Sequence, residues 1–348
     1  MLSWILNLDE PKLFDNIGFL KKLFYLKESD LLIGPIEAST EINRVDLKVK
    51  ASNVLFYFEN KLKSSEHNFQ TERYKQTIEK NKSIGKVKIY YGFITLIKEV
   101  AKDKNWISIS FEELKDALSV SLVQNTQKEF YFISEYIQTL DNLVSSHNYF
   151  IENHKNCQNV FTDGSKRKSE KKALTNEYHQ YISKNQLETI FQKSFLKIIC
   201  QETGIEYSEI GETRGVAYIQ FDLMRFNINT DTYCVGFQFQ GATFKINLSH
   251  SDYSNSILEQ MPNELILLFK EHFLNQFNYF RFNKAKSKAY ISVSKRFTER
   301  KEIYHLERVE LAEILSKELE IIQQRLPHFK SKISLKYNLS NKSISNLQ

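Results

Sequence analysis

The sequence predicts an α/β protein of two domains. A mixed sheet flanked by helices is expected over residues 1–152, and an α+β domain over 176–330. Three observations carry this. A hairpin pattern at 44–61, "RVDLKVKASNVLFYFENK", is followed by a helical spacing and then a β-branched and aromatic run, the order of a crossover unit. A polar and basic stretch, "DGSKRKSEKKAL" at 163–174, breaks the pattern, so 153–175 reads as a linker. Beyond it several short alternating runs read as strands around further helices.

The elements follow in order. "LFDNIGFLKKLFYL" (13–26) spaces Leu13, Ile17, Leu20 and Phe24 as a helix. The hairpin turns at Ser52 and Asn53. "SEHNFQTERYKQTIEK" (65–80) puts Phe69, Tyr74 and Ile78 at helical spacing, and "KVKIYYGFITLI" (86–97) and "WISIS" (106–110) read as strands. Ser110 with Glu113 forms a capping box that opens a helix at "FEELKDAL", and a longer helix covers 127–150. After the linker a helix spans 176–202 and ends at Gly204. Strands follow at 215–223, 233–240, 242–249 and 288–297, with Gln240 and Gly241 as a hairpin turn. Helices are expected at about 255–275 and about 300–325, the second ending before Pro327, and 331–348 reads as a polar tail.

Composition narrows the function classes. The chain has 348 residues, 41% hydrophobic and 26% charged, with a net charge of +6. That balance permits an anionic partner without demanding one. Cys157, Cys200 and Cys234 form no CxxC pair, so reduced cytoplasmic thiols are expected rather than a disulfide framework or a thiolate zinc site. The start "MLSWILNLDEP" lacks a basic n-region and a small-residue cleavage site. No run approaches the ~18 apolar residues of a spanning helix, so a cytoplasmic protein without a membrane partner is expected. The eight histidines show no HxH or HExxH spacing, and there is no Gly-rich phosphate loop and no Ser or Cys nucleophile motif.

The hairpin holds the candidate chemistry. With a two-residue turn, facing residues sum to 105: Leu47 faces Phe58, Val49 faces Phe56 and Val45 faces Asn60. That face is mostly apolar and belongs on the core. On the other face Asp46 stands opposite Glu59, with Lys61 two residues on. Opposed side chains have Cβ atoms ~4.5–5.5 Å apart, and like charges at that distance weaken a sheet unless something binds between them. Mg²⁺, a hard cation, takes one or two carboxylates together with phosphate oxygens, and the Asn60 carbonyl is a candidate further ligand. The Lys61 ammonium is placed to steady an attacking water or the phosphate's charge. The layout suits metal-assisted phosphodiester hydrolysis.

These residues resemble the PD-(D/E)XK, or restriction-endonuclease-like, nuclease superfamily. Asp46, then "FENK" with Glu59 and Lys61, matches its core motif. "QTERY", with Gln70 and Tyr74 one turn apart, resembles its Gln-x-x-x-Tyr signature. "LSWILNLDEP" resembles the "LAWLLDP" opening of a bacterial branch whose site reads "RIDL…ENK…Q-ERY", and "WISISFEEL" (106–114) fits the same branch. The likeness covers roughly 1–150. It implies a restriction-endonuclease-like sheet, with Asp46 and Glu59 as ligands of Mg²⁺ or Mn²⁺, Lys61 as the catalytic lysine, Gln70 touching DNA or tuning the site, and Tyr74 in support. It implies a DNA substrate, with RNA left open, and a role in bacterial defence against foreign DNA. The branch often carries a further glutamate upstream of its opening, and a histidine beside it. Neither stands in the residues from Met1 onward, so the start is truncated, Glu41 or Glu37 substitutes, or metal affinity is reduced. The alternatives to an active DNA nuclease are an impaired nuclease fold that binds nucleic acid or a protein partner, and an RNA-directed nuclease. A homo-oligomer is also left open.

One further segment is basic. Residues 281–301 hold eight Lys or Arg against one Glu, with Phe282, Tyr290 and Phe297 interleaved. Lys284, Lys286, Lys288, Lys295 and Arg296 are therefore candidate nucleic-acid contacts. The linker's Lys166, Arg167 and Lys168 either neutralise phosphates or form a disordered connection.

Overall fold

The structure is a computed structural model. It describes residues 1–8, 10–27, 35–42, 44–52, 54–62, 66, 69–80, 87–124, 126–155, 176–213, 216–241, 243–251, 261–274, 279, 281–285, 289–296, 306–339 and 344–346. The chain divides into two compact units, Met1–Asn148 and Tyr149–Gln348. Both are mixed α and β, each with one sheet flanked by helices.

The first unit runs α1 (Leu2–Leu6), α2 (Asn16–Leu23), β1 (Ile36–Ile42), β2 (Val45–Ala51), β3 (Val54–Lys61), α3 (Gln70–Lys80), β4 (Lys88–Thr95), β5 (Trp106–Ser110), α4 (Phe111–Ser121) and α5 (Lys128–Glu152), and the unit boundary falls within α5. Its five strands lie in sequence order. β1, β2 and β3 are antiparallel, and β3, β4 and β5 are parallel. Local chemistry sets the helix starts. The Asp15 carboxylate accepts the Gly18 N–H at 2.8 Å and caps α2. Ser110 and Glu113 form the expected reciprocal box on α4.

Both sheet faces are buried around β3. On one face Phe56 and Phe58 meet Phe24 beyond the end of α2, with ring centroids 4.9 and 5.1 Å apart. Gly92 lies beneath that cluster. A Cβ there would stand 3.1 Å from Phe24, Phe58 and Ile109, so the absent side chain is what lets the rings close on the sheet. On the other face Leu55, Tyr57, Tyr91, Phe93 and Trp106 pack with Ile78 and Tyr74 of α3. β1 has no counterpart among the predicted elements. "IEASTEI" is an edge strand with no fully buried residue, and charge on its open side is the ordinary protection of an edge, so apolar alternation is missing.

The second unit runs α6 (Glu177–Lys184), α7 (Glu188–Thr203), β6 (Glu209–Thr213), β7 (Val216–Ile228), β8 (Asp231–Gln240), β9 (Thr243–His250), α8 (Asn263–Phe273), β10 (Arg281–Lys284), β11 (Tyr290–Arg296), α9 (Arg308–Gln323), α10 (Leu326–Tyr337) and β12 (Ile344–Asn346). The seven strands pair antiparallel in the order β10-β11-β9-β8-β7-β12, with β6 also on β7. The helix predicted over 176–202 is two helices, broken at Asn185 and Gln186, the latter with φ of 55°. Its end at Gly204 is as expected, in the left-handed conformation that favours glycine. β7 continues past Leu223 because a bulge between Asp222 and Met224 resets the alternation; two consecutive buried residues, Leu223 and Met224, hide that continuation from a period-2 reading. The polar tail is in part ordered structure: α10 extends to Tyr337, and β12 pairs with β7. Among the described residues, no helix is long and apolar enough to cross a membrane.

Lys295 is half-buried and reaches a buried carboxylate of this unit. Its ammonium meets Glu318 at 2.7 Å, and the Tyr279 hydroxyl donates to the same carboxylate at 2.8 Å. Truncating one partner of a buried ion pair strands the other charge. Lys295→Ala is therefore expected to cost about 3 kcal/mol of stability, with Lys295→Ala/Glu318→Leu recovering most of it, read from denaturant unfolding. His272 of α8 is buried, and burial, reinforced by the neighbouring charges of Lys332, His328 and Arg325, pushes its imidazole from 6.5 down to about 4. The unfolded chain then binds more protons between those values, so stability falls as pH drops through that window. Thermal melts should decline from pH 6.5 to about 4, and His272→Leu should lose part of that slope.

Candidate active site

The hairpin has the expected register. Leu47 pairs with Phe58, Val49 with Phe56 and Ala51 with Val54, and continuing the ladder one step sets Asp46 against Glu59. Leu47, Val49, Phe56 and Phe58 are buried, Asp46 is exposed, and Glu59 is 2% exposed. Ser52 takes φ of 54° at the turn, and Asn53 lies outside the described residues. Glu59, Asn60 and Lys61 form the C-terminal end of β3, alongside the end of the parallel β4. In open α/β sheets ligands bind at those ends.

The strand's alternation puts Lys61 on the Glu59 face, and its ammonium meets Glu59 Oε1 at 2.7 Å. Gln70, the first residue of α3, donates from Nε2 to the same oxygen at 2.8 Å, and it lies 2.6 Å from the Tyr74 hydroxyl one turn along. Asp46 Oδ2 accepts the Asn60 N–H at 2.7 Å. Glu59 Oε2 is buried without a hydrogen-bond partner among the described residues. An isolated buried acceptor costs free energy, so this oxygen is the unsatisfied atom of the site.

Burial raises the Glu59 carboxyl above its ordinary value. Lys61 opposes that shift, the negative charge of Asp46 adds to it, and Gln70 opposes it weakly. The folded chain therefore holds this proton more tightly than the unfolded chain. Its stabilising contribution is complete below the ordinary 4.5 and is lost as pH rises through the raised value.

The structure brings Asp46, Glu59, Asn60, Lys61, Gln70 and Tyr74 together. Glu41 stands at the register position opposite Asp46, but with φ of 55° and outside the ladder, and Glu37 pairs with Lys50 at 3.6 Å. Among the described residues no group of three or more His, Cys, Asp and Glu gathers to hold a metal, so Glu41 does not complete a triad. Of the basic candidates, Lys284 is exposed above the Phe282 ring, Arg296 is exposed, and Lys295 is committed to Glu318. Lys286, Lys288 and Phe297, with the linker's Lys166, Arg167 and Lys168, lie outside the described residues.

Two contributors were not read from the sequence. The Asn60 N–H donates to Asp46 and ties β3 to β2 at the site. Glu66 anchors the start of α3: its Oε1 accepts the Thr71 N–H at 2.9 Å and the Thr71 hydroxyl at 2.6 Å, and its Oε2 accepts the Lys102 N–H at 2.7 Å. The available signal was an acid just ahead of a helix, which suits the helix's positive end. Comparison with known protein families, curated proteins and solved structures finds no match for this chain.

The donor set fits a hard divalent ion: a buried carboxylate oxygen left over on Glu59 and an exposed carboxylate on the neighbouring strand. Removing the Asp46 charge removes one cause of the raised Glu59 carboxyl. In Asp46→Asn the Glu59 titration midpoint, followed by carboxyl ¹³C NMR without metal, is expected to move down, and an unchanged midpoint would show that the two groups do not interact.

Proposed function

We propose that this chain is a Mg²⁺- or Mn²⁺-dependent nuclease of restriction-endonuclease-like fold that hydrolyses DNA phosphodiester bonds, with a role in bacterial defence against foreign DNA. The observation that carries this reading is the asymmetric Glu59 carboxylate. One oxygen is held by Lys61 and Gln70, while the other is buried and bare beside Asp46. The order β1–β2–β3–α3–β4–β5, mixed antiparallel and parallel, supports the fold.

In this reading Glu59 Oε2 and Asp46 hold the ion, and the Asn60 carbonyl is a further ligand. The ion supplies Lewis acidity, neutralising phosphate charge and making a water more acidic. Lys61, held on Glu59, orients the attacking water and stabilises the negative charge that builds on the phosphate oxygens as the new P–O bond forms and the ester P–O bond breaks. Gln70 keeps Glu59 Oε1 in place, and Tyr74 supports Gln70. Asp46 is exposed on β2, so the sheet face that carries it is the side from which a phosphodiester reaches the ion.

The rival reading, a nuclease fold that binds nucleic acid without cutting it, draws on the lack of a third acid among the described residues. Supercoiled-plasmid nicking decides between them. The wild-type chain should cut with Mg²⁺ or Mn²⁺ and not with chelator. Glu59→Ala and Lys61→Ala should each lower the rate by at least ~10²-fold. Retained DNA binding with no metal-dependent cleavage would replace the proposal with the rival, and cleavage confined to RNA would reassign the substrate.

A further inference from the structure

The bond from Gln70 to Glu59 Oε1 leaves the other carboxylate oxygen over, so the site depends on what aims Gln70. Gln70 is the first residue of α3. A slip of that helix by one residue would turn the side chain about 100° around the axis. The residue ahead, Phe69, has φ of 53° and an exposed ring. A bulky side chain in the left-handed region is strained, and such a turn persists only where its surroundings over-determine it. Phe69 also has no side-chain acceptor for the first N–H groups of the helix.

Thr71 supplies what Phe69 does not. It is fully buried, and its N–H, hydroxyl and carbonyl all have partners outside α3. The N–H and the hydroxyl both donate to Glu66 Oε1, at 2.9 and 2.6 Å. The hydroxyl oxygen accepts the Asp103 N–H at 3.1 Å, and the carbonyl accepts the Trp106 indole N–H at 3.1 Å. Glu66 Oε2 accepts the Lys102 N–H at 2.7 Å, so one carboxylate joins the start of α3 to the turn before β5. One turn further along α3, Lys75 meets Asp103 at 3.4 Å.

These bonds close a circuit. Glu59 pairs across the ladder with Phe93, and Phe93 with Ser108. Trp106 lies two residues back along β5. Its indole holds Thr71, Thr71 adjoins Gln70, and Gln70 returns to Glu59. The sheet that carries the acid therefore also fixes the helix that grips it. A helix start that needed only an anchor would be served by one capping bond. Here a single buried threonine is tied to two separate segments of the chain.

We propose that Thr71, braced by Glu66 and Trp106, is a positioning residue of this site. It holds Gln70 on Glu59 Oε1 and so keeps Oε2 available to the ion. The use of Oε2 rests on the nuclease reading; the coupling of Thr71 to Gln70 does not.

The test reads the coupling first and catalysis second. Solvent exchange of the Gln70 side-chain amide is followed by ¹⁵N NMR of the full chain in chelator, the signal being assigned by its loss in Gln70→Ala. Thr71→Val keeps the side chain's shape without its hydroxyl. It should speed that exchange at least ~10-fold, and Thr71→Ser should return it to within ~2-fold of the parent. In plasmid nicking with Mn²⁺, Thr71→Val should lower kcat and kcat/KM alike, by ~10-fold, with KM for DNA unchanged. In a Gln70→Ala background it should lower the rate no further, since both changes remove the same bond. Parent values of exchange and kcat in Thr71→Val would overturn the proposal. So would a loss seen only in the melting temperature, or equal losses with and without Gln70. Should Thr71→Val not fold, Glu66→Gln, which trades one acceptor oxygen for an amide, should speed the exchange ~3-fold, and an unchanged rate there overturns it equally. A chain that shows the coupling yet never cuts leaves Thr71 holding Gln70 and removes the nuclease reading. One that cuts while Thr71→Val changes nothing does the reverse.

Discussion

Burial of one carboxylate at the end of β3 organises the first unit. β3 is the strand on which the sheet changes character, antiparallel to β2 on one side and parallel to β4 on the other. It is buried on both faces from Val54 to Glu59, so Glu59 belongs to the apolar part of the strand by position and to the polar end by chemistry. An acid there is tolerable only with partners. Lys61 and Gln70 supply them to one oxygen, and the other is left without any.

The surrounding elements can be understood as what holds that carboxylate in place. α3 must begin where its first residue reaches Glu59, and Glu66 fixes that beginning through Thr71 and the backbone of Lys102. Trp106 of β5 donates from its indole nitrogen to the Thr71 carbonyl at 3.1 Å, tying the same turn to the far parallel strand. On the opposite face, the closeness of Phe24 to Phe56 and Phe58 depends on Gly92. A strand clamped on both sides has little freedom to relax its terminal acid away from Asp46, and preorganisation of that kind is what a catalytic or metal-binding group needs.

In the second unit the two sheet faces differ. Phenylalanines and aliphatic residues of β7, β8 and β9 face the helices, while amides, hydroxyls and a few cations form a braced polar layer behind them. The Lys295–Glu318–Tyr279 group shows how a half-buried basic residue in a basic stretch can be committed to the fold: its charge is matched by a buried carboxylate from α9, far along the chain.

What could be read from the sequence was whatever depends on neighbours in the chain. A two-residue turn and strict alternation determined the register that sets Asp46 against Glu59, because a slip of one residue would have turned Leu47 and Val49 outward. Ser110 and Glu113 declared a helix start for the same local reason. The rest required the folded chain. β1 is an edge strand whose pairing comes from β2, not from its own residues. The bulge at Asp222 and Met224 shows only in the pairing of β7 with β8, and the partner of Lys295 comes from a helix far along the chain. Spacing along the strand placed Lys61 beside Glu59; only the packing of α3 decided that Gln70 would share the same oxygen and leave the second one bare, since that depends on where a helix lands in three dimensions.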